Sequence, residues 1–405
     1  MTATSHRHAD FAAGPDVRTD PPQTGPWRMR FAEDALPGAH GIGPLAGVRV
    51  AVKDVFAVAG ERIGAGNPTV LGNAGIESSH STAVQALVDA GATLAGIART
   101  DELAFSIAGV NAHEGAIANP TRPGFLVGGS SSGSAAAVVA GEADLGLGTD
   151  TAGSIRVPAS YCGLWGLRLT HGAVGMEGLR PLAPSFDAVG ILARDVGVLS
   201  SAAQALGATD AGAPASRMLI PAALLDLVEQ PARAAFLAAA GALASRIGLP
   251  HTELGEVAWS RGELEEWFVS FRAIQAYEAW QVNHELLDID GAISADIRSR
   301  ILAGQNVDAQ LHRSVLKEAR AAVLAQLDGD AVLCLPGTST TAPELGVSHE
   351  EQERLRAGTL RLTFLAALAG LPALSVPHLI AADAPMGLGL LGAPGEDLKL
   401  IRLAS

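Results

Sequence analysis

The sequence has only two cysteines in 405 residues, Cys162 and Cys334, and they stand far apart. Two isolated thiols supply neither a disulfide framework nor a structural zinc site, so we expect both to be buried and reduced. Long apolar runs are also lacking: the most apolar stretch, 362–377, is too short to span a bilayer and contains Pro372. The first residues lack the apolar core of a secretory signal, so the sequence predicts a cytoplasmic protein.

Positive charge is scarce as well. The 28 Lys and Arg residues face 42 Asp and Glu residues, which gives a formal net charge of -14. Nucleic acids and anionic membranes need a basic face, so neither is expected as the main partner. The hydrophobic content of 48% is ample for a large core.

The chain divides into an N-terminal arm and one large domain. Residues 1–46 contain 11 Gly or Pro and show no sustained period, which predicts a partly flexible arm. From 47 to 405, strand and helix patterns alternate, beginning with a short apolar strand that ends at Lys53. Such alternation predicts an α/β fold with a large, mostly parallel central sheet covered by helices on both faces.

The stretch GGSSSGSAAAVVAGEADLGLGTDTAGSIRVP at 128–158 is rich in glycine and serine and has no lysine. A glycine-rich turn before a helix can bind phosphate through its backbone N–H groups. The Walker A motif, however, ends in Gly-Lys followed by Ser or Thr, and here Gly133 precedes Ser134. The missing lysine argues against a phosphate loop.

A nucleophile elbow is the second interpretation. Residues 129–133 match the pattern G-x-S-x-G, which would make Ser131 the nucleophile of an α/β-hydrolase. That chemistry needs a histidine base further along the chain. None of the available histidines lies in a supporting pattern: they are His251, His284, His312, His349 and His378.

The third interpretation combines a second glycine-flanked serine, Ser154, with a distant lysine. Backbone N–H groups at a strand-to-helix turn can stabilise an oxyanion, but a serine hydroxyl still needs a base. Lys53 ends an apolar strand, where poor solvation lowers the pKa of an amine and lets it accept a proton. Ser130 is the candidate to relay that proton. The alternative is that Lys53 reaches solvent from the strand end.

Together, GPLAGVRVAVKDVF, GGSSSGSAAAV and GTDTAGSIRVPASYCGLWGLR closely resemble the amidase signature family. The resemblance covers about 44–195 and resumes near the C-terminus. It implies an amide hydrolase with a Ser–cis-Ser–Lys triad and neither a metal ion nor an organic cofactor. By motif position Ser154 is the nucleophile, Ser130 the bridging serine in a cis peptide with Gly129, and Lys53 the base.

The same resemblance assigns further residues around the triad. The oxyanion hole falls on the backbone N–H groups of Thr151, Ala152, Gly153 and Ser154. Supporting roles fall on Ser131, Asp150 and Arg156, the last two by pairing with each other. Cys162 matches a common family cysteine, and we expect it to pack in an apolar environment.

Two positions depart from the family pattern, which usually has glycine at Ala152 and at Ser132. The methyl group of Ala152 forbids backbone angles open only to glycine and narrows the acyl pocket. The segment GGSSSGS, which contains Ser132, resembles the corresponding segment in a short branch of the family that includes indole-3-acetamide hydrolases. The branch favours an aromatic or indolyl primary amide as the substrate.

Aromatic residues make up only 4% of the chain, yet six of them lie between 259 and 280. Their helical spacing is typical of a helix that docks on the core. The functional alternative is a wall for an aromatic acyl group, with Trp267 and Phe271 binding the substrate. A helix that caps the pocket would satisfy both interpretations.

The expected activity is hydrolysis of a small carboxylic amide to acid and ammonia through a Ser154 acyl-enzyme. The expected partner is that small molecule, without nucleic acid or membrane, and a homodimer is left open. Within the same family, the alternatives are a hydrolase of urea-like carboxylated nitrogen compounds and the glutaminase subunit of an amidotransferase. The alternative from another class is a non-catalytic binding module on the same fold.

Overall fold

The computed structural model describes residues 25–32, 41–249, 254–257 and 259–405. The strands in these ranges are β1 Trp27–Arg30, β2 Arg49–Lys53, β3 Thr93–Ala98, β4 Val110–Asn111, β5 Gly115–Ala116, β6 Leu145–Thr149, β7 Trp165–Arg168, β8 Val189–Ala193, β9 Arg217–Ile220, β10 Leu254–Glu256, β11 Ala331–Pro336, β12 Ala373–Ala381 and β13 Ala384–Leu391. The helices are α1 Pro68–Asn73, α2 Thr82–Asp89, α3 Ser132–Val139, α4 Arg156–Cys162, α5 Val196–Ala205, α6 Ala222–Leu225, α7 Ala232–Arg246, α8 Arg261–Asn283, α9 Ala295–Leu302, α10 Ala309–Gln326, α11 His349–Ala369 and α12 Asp397–Ala404.

Eleven of these strands form one sheet in the order β1-β3-β2-β6-β8-β7-β12-β13-β11-β9-β10. The sheet is mixed: β3-β2-β6 and β11-β9-β10 are two parallel blocks, and the strands between them pair antiparallel. The predicted α/β class, with a large mixed sheet and helices, is therefore confirmed. The antiparallel centre is the part that the alternation of strands and helices did not indicate.

Both faces of the sheet are covered, and the two faces have different side chains. Along β2, Val50 and Val52 belong to the main core, whereas Ala51 between them belongs to a smaller cluster with α3 and α4. Because successive side chains of a strand point to opposite faces, the small residues mark the face where α3 packs closely. Both cysteines are buried and unpaired, and Cys162 packs in this smaller cluster.

The described part of the N-terminal arm lies on the large domain. Trp27–Arg30 pairs antiparallel with β3 at one edge of the sheet, and Leu45 is fully buried. The rest of the predicted arm, 1–24 and 33–40, lies outside the described residues.

The apolar run 218–225 is divided between two elements. Strand β9 ends at Ile220, and the short helix α6 follows after Pro221. Residues 102–104 form a turn of 3-10 helix. Across the described ranges, no helix combines the length and apolarity needed to cross a membrane.

The fold brings the ends of β2 and β6 together. The two strands are parallel neighbours, with Val52 opposite Leu147. Parallel strands present their carboxyl ends at the same edge of a sheet, so Lys53 at the end of β2 lies beside Thr149 at the end of β6. The loop that carries Ser154 starts there and leads into α4.

Helix α3 approaches the chain before Asp101 so closely that Gly133 has no room for a side chain. A Cβ there would lie 2.5 Å from the backbone nitrogen of Arg99 and 2.6 Å from its carbonyl oxygen. We predict that Gly133→Ala lowers the free energy of unfolding by about 1–3 kcal/mol, because overpacking forces the backbone apart. Denaturant unfolding of the purified variant measures this.

Gly72→Ala is the matched control, since Gly72 lies in α1 with nothing within 4 Å of its added Cβ. Alanine is the better helix former, so this variant should be no less stable than the wild type. Equal stability of the two variants would contradict the close packing of α3.

Candidate active site

Lys53 is fully buried at the end of β2, and its amine contacts two hydroxyl groups. Nζ donates to Ser130 Oγ at 2.9 Å and to Thr149 Oγ1 at 2.7 Å. Burial lowers the pKa of Lys53 to about 7, although the carboxylates of Asp101, Asp187 and Asp150 act in the opposite direction. An appreciable fraction of this amine is therefore neutral near neutral pH, when it can accept a proton.

Ser130 is fully buried, and the Gly129–Ser130 peptide bond is cis. The Ser130 carbonyl accepts a hydrogen bond from Thr100 Oγ1 at 2.8 Å and one from the Asp101 N–H at 3.3 Å. Gly129 is tightly enclosed, because a Cβ on it would collide with the carboxylate of Asp101. These contacts fix the backbone that aims Ser130 at Lys53.

Ser154 is buried in the loop between β6 and α4 and lines a narrow pocket. Its hydroxyl makes no hydrogen bond to Ser130 or to any other residue in the described part of the chain. Its carbonyl accepts the N–H of Ser131 at 3.3 Å. Catalytic hydrogen bonds often tighten only when substrate binds, so a free hydroxyl at the pocket is compatible with a nucleophile.

The hydroxyl of Ser131 donates to the Thr149 carbonyl at 3.3 Å, away from the pocket. Because its N–H also donates to the Ser154 carbonyl, Ser131 links the end of β6 to the following loop. Of the histidines whose side chains are described, none hydrogen-bonds Ser130, Ser131 or Ser154. Among those histidines, the nucleophile-elbow interpretation therefore has no base for Ser131, and the candidate His251 and the side chain of His378 lie outside the described residues.

Asp150 organises the loop of the predicted oxyanion hole. Its carboxylate accepts the N–H groups of Gly153 at 2.7 Å and of Ile155 at 3.2 Å. Gly153 needs glycine at this point because its φ is +124°, a backbone conformation that side chains disfavour. Its N–H is occupied by Asp150, which corrects the assignment of Gly153 as an oxyanion donor.

The other three predicted donors are available. Within the ranges that the structure describes, no oxygen accepts the backbone N–H of Thr151, Ala152 or Ser154. Unpaired N–H groups at a pocket are the donors that an oxyanion needs. The alanine at 152 is tolerated, because its φ is outside the left-handed region that would have required glycine.

Asp150 and Arg156 pair with each other, as the sequence predicts. Arg156 Nε donates to Asp150 Oδ2 at 2.9 Å and Nη2 donates to Oδ1 at 2.8 Å, with both residues buried. Arg168 lies 3.6 Å from the same carboxylate and donates to the Asp150 carbonyl. Burial alone would raise the pKa of Asp150, but the two guanidinium groups outweigh it and hold that pKa well below its usual range.

The packing of α8 contradicts the alternative that Trp267 and Phe271 form an aromatic wall for the acyl group. Phe271 is fully buried, with ring centroids 4.6 Å from Phe186 and 5.9 Å from Phe364. Trp267 packs edge-on against Trp259 at 5.5 Å. Neither side chain lines the pocket at Ser154, because the apolar face of α8 packs into the core, as its helical spacing indicates.

The sequence analysis missed several residues of the site. Thr149 is the second acceptor for Lys53, and Asp101 places a buried carboxylate beside Gly129. Arg272 and Arg356 line the pocket together with Ser154. The position of Thr149 at a strand end was the available signal for it, whereas nothing in the charged run of α11 distinguishes Arg356 from surface residues.

Comparison with known proteins shows the family to which the chain belongs. The family model described as Amidase matches residues 28–239, more than half of the chain. Amidase 1 of Oryza sativa subsp. japonica is 30% identical over 390 residues, 89% of this chain and 89% of that protein.

A glutamyl-tRNA(Gln) amidotransferase subunit of Methanothermobacter thermautotrophicus is also 30% identical, over 89% of this chain and 84% of its own length. A solved crystal structure of an amidase superposes with a TM-score of 0.77 at 30% identity, covering 89% of this chain and 84% of that one. The chain belongs to the amidase family.

Proposed function

We propose that the protein hydrolyses a small carboxylic amide to acid and ammonia, with Ser154 as the nucleophile, Ser130 as the proton relay and Lys53 as the base. The observation that carries this assignment is the buried 2.9 Å hydrogen bond from Lys53 Nζ to Ser130 Oγ. An amine that is partly neutral and points at a hydroxyl is an arrangement for proton transfer.

In the first half of the reaction, Ser154 Oγ attacks the amide carbonyl, and its proton passes through Ser130 to the Lys53 amine. The carbonyl oxygen becomes an oxyanion that accepts hydrogen bonds from the backbone N–H groups of Thr151, Ala152 and Ser154. When the C–N bond breaks, the leaving nitrogen takes the proton from Lys53 through Ser130. The products of this half are ammonia and an acyl group esterified to Ser154.

In the second half, water takes the place of the leaving amine. It attacks the ester carbonyl while its proton moves through Ser130 to Lys53. The second tetrahedral intermediate collapses by breaking its bond to Ser154 Oγ, which recovers the proton. Free acid leaves, and the enzyme returns to its starting state.

The pocket limits what the acyl group can be. Phe105, Ile107, Leu182 and Leu360 give it apolar walls, and Arg272, Gln275 and Arg356 add polar ones. An aromatic or indolyl acyl group was expected from the run at 259–280, and that support falls away with Trp267 and Phe271 in the core. We therefore propose a small amide as the substrate, without an aromatic acyl group as a requirement.

A glutaminase subunit is the second candidate. It is favoured by the similarity to the named amidotransferase subunit over most of both chains. The net charge of -14 weighs against an RNA-linked substrate. Copurification with partner subunits, together with ammonia release from glutamine, would favour this candidate over a free-standing amidase.

Ser154→Ala should reduce ammonia release from any amide substrate by at least about 10⁴-fold, because removal of a nucleophile leaves only binding and oxyanion contributions. Circular dichroism should match the wild type, since the change removes one hydroxyl at a pocket and no core volume. Wild-type turnover in Ser154→Ala, or complete loss in Ser131→Ala alone, would overturn the assignment of the nucleophile.

Below its pKa of about 7, Lys53 is protonated and cannot accept the proton of Ser130. We expect kcat/KM to rise about tenfold per pH unit below that point and to level off above it. Initial rates of ammonia release across the pH range measure this.

Lys53→Met should be folded and inactive across that range. The control is Lys317→Met, which removes an exposed lysine from α10 and should keep both the rate and the inflection. Retained activity in Lys53→Met, or an inflection that Lys53 does not control, would show that the amine is not the base.

A further inference from the structure

Three arginines from three helices meet at the pocket of Ser154. Arg272 comes from α8 and Arg356 from α11, and both line the pocket. Arg300 of α9 lies behind them, and its Nη1 donates to the Phe105 carbonyl at 2.7 Å.

The carboxylate that pairs with this cluster is Glu353. It accepts Arg300 Nη2 at 2.9 Å and Arg356 Nη1 at 3.2 Å. Asp296 lies 3.9 Å from Arg300 and is largely exposed. Even with both carboxylates counted, the three guanidinium groups retain an excess of positive charge.

Several donors in this cluster have no acceptor among the described residues. Arg356 Nε is buried and has no hydrogen-bond partner in the described ranges. Arg272 makes one hydrogen bond there, from Nη1 to Gln275 Oε1 at 3.3 Å. A guanidinium has five N–H donors, and a buried donor without an acceptor is costly, so a bound acceptor such as a carboxylate would be favourable here.

Both arginines remain charged at neutral pH. Burial, with a smaller contribution from neighbouring Arg300, lowers the pKa of Arg356 to about 9 and that of Arg272 to about 10. A carboxylate at this point would accept the unpaired N–H groups and balance the excess charge.

We propose that the substrate of this site is an amide whose acyl group also carries a carboxylate, and that Arg356 and Arg272 bind this carboxylate. The inference rests on the proposed amide hydrolysis at Ser154. Ser154, Arg272 and Arg356 line the same narrow pocket, so only a short chain would separate the two ends of the substrate. The class is the monoamide of a short dicarboxylic acid.

The competing explanation is structural. Glu353 joins Arg300 to Arg356, so the cluster also holds α9 and α11 together. A purely structural cluster would make Arg356→Gln less stable and would weaken every amide to the same degree. Selectivity between charged and neutral amides therefore separates the two explanations.

The first experiment measures binding without turnover. Titration calorimetry on Ser154→Ala compares the monoamide of succinic acid with succinamide, its neutral isostere, and the same pair is repeated for glutaric acid. We expect at least one acidic monoamide to bind about 10- to 100-fold more tightly than its diamide, the range of a charge-assisted hydrogen bond.

Adding Arg356→Gln to Ser154→Ala should remove that preference by weakening the acid far more than the diamide, since a neutral amide gains little from the guanidinium charge. The matched control is Arg354→Gln, on the same helix but half exposed and paired with Glu351, which should keep the preference. Arg272→Gln repeats the test if Arg356→Gln does not fold. Equal affinities for acid and diamide in the Ser154→Ala protein would overturn the proposal.

The second experiment measures kcat/KM for the same compounds with the otherwise wild-type enzyme. A preference for the acids that disappears in Arg356→Gln supports the proposal. Ser154-dependent release of ammonia from the diamides, without preference for the acids, overturns this inference and leaves the proposed function intact. Tight binding of the acids without any ammonia release would instead contradict the proposed function alone.

Discussion

The burial of one lysine amine against two hydroxyl groups is the constraint on which the site depends. A fully buried ammonium is costly, and the two acceptors of Lys53 are neutral oxygens rather than a paired carboxylate. The amine is therefore poised between its two protonation states, which a base needs and a structural lysine does not. The parallel pairing of β2 and β6 and the close approach of α3 supply the two hydroxyl groups.

Near that amine lies a second buried charge, the carboxylate of Asp150, which stays ionised. Asp150 is ionised because Arg156 and Arg168 surround it, and its oxygens hold the N–H groups of Gly153 and Ile155. These contacts fix the loop so that the backbone N–H groups of Thr151, Ala152 and Ser154 lie at the pocket, unpaired within the described residues. Lys53 and Asp150 thus behave differently, because the amine of Lys53 donates to two neutral hydroxyl groups whereas the carboxylate of Asp150 lies against two guanidinium groups.

The sequence predicted the α/β fold class, which the structure confirms, and it predicted the residues that we propose for the catalytic site. Each of the three motifs combines a strand end or turn with one reactive side chain, and local pattern is enough to place such residues. Lys53 follows an apolar strand, Ser130 precedes an alanine-rich helix, and Asp150 and Arg156 stand six residues apart on one loop, so their pairing is local. The helical spacing of 259–280 likewise predicted the core packing of Phe271.

The residues that surround the catalytic site could not be predicted from the sequence. The antiparallel centre of the sheet, the use of the Gly153 N–H by Asp150 and the choice of Thr149 as the second acceptor all depend on how distant segments pack. The same holds for Arg272 and Arg356, which lie 84 positions apart on two helices and meet at Ser154. A charged residue on a helix has the same local pattern whether it faces solvent or a pocket, because its neighbours in space come from other elements.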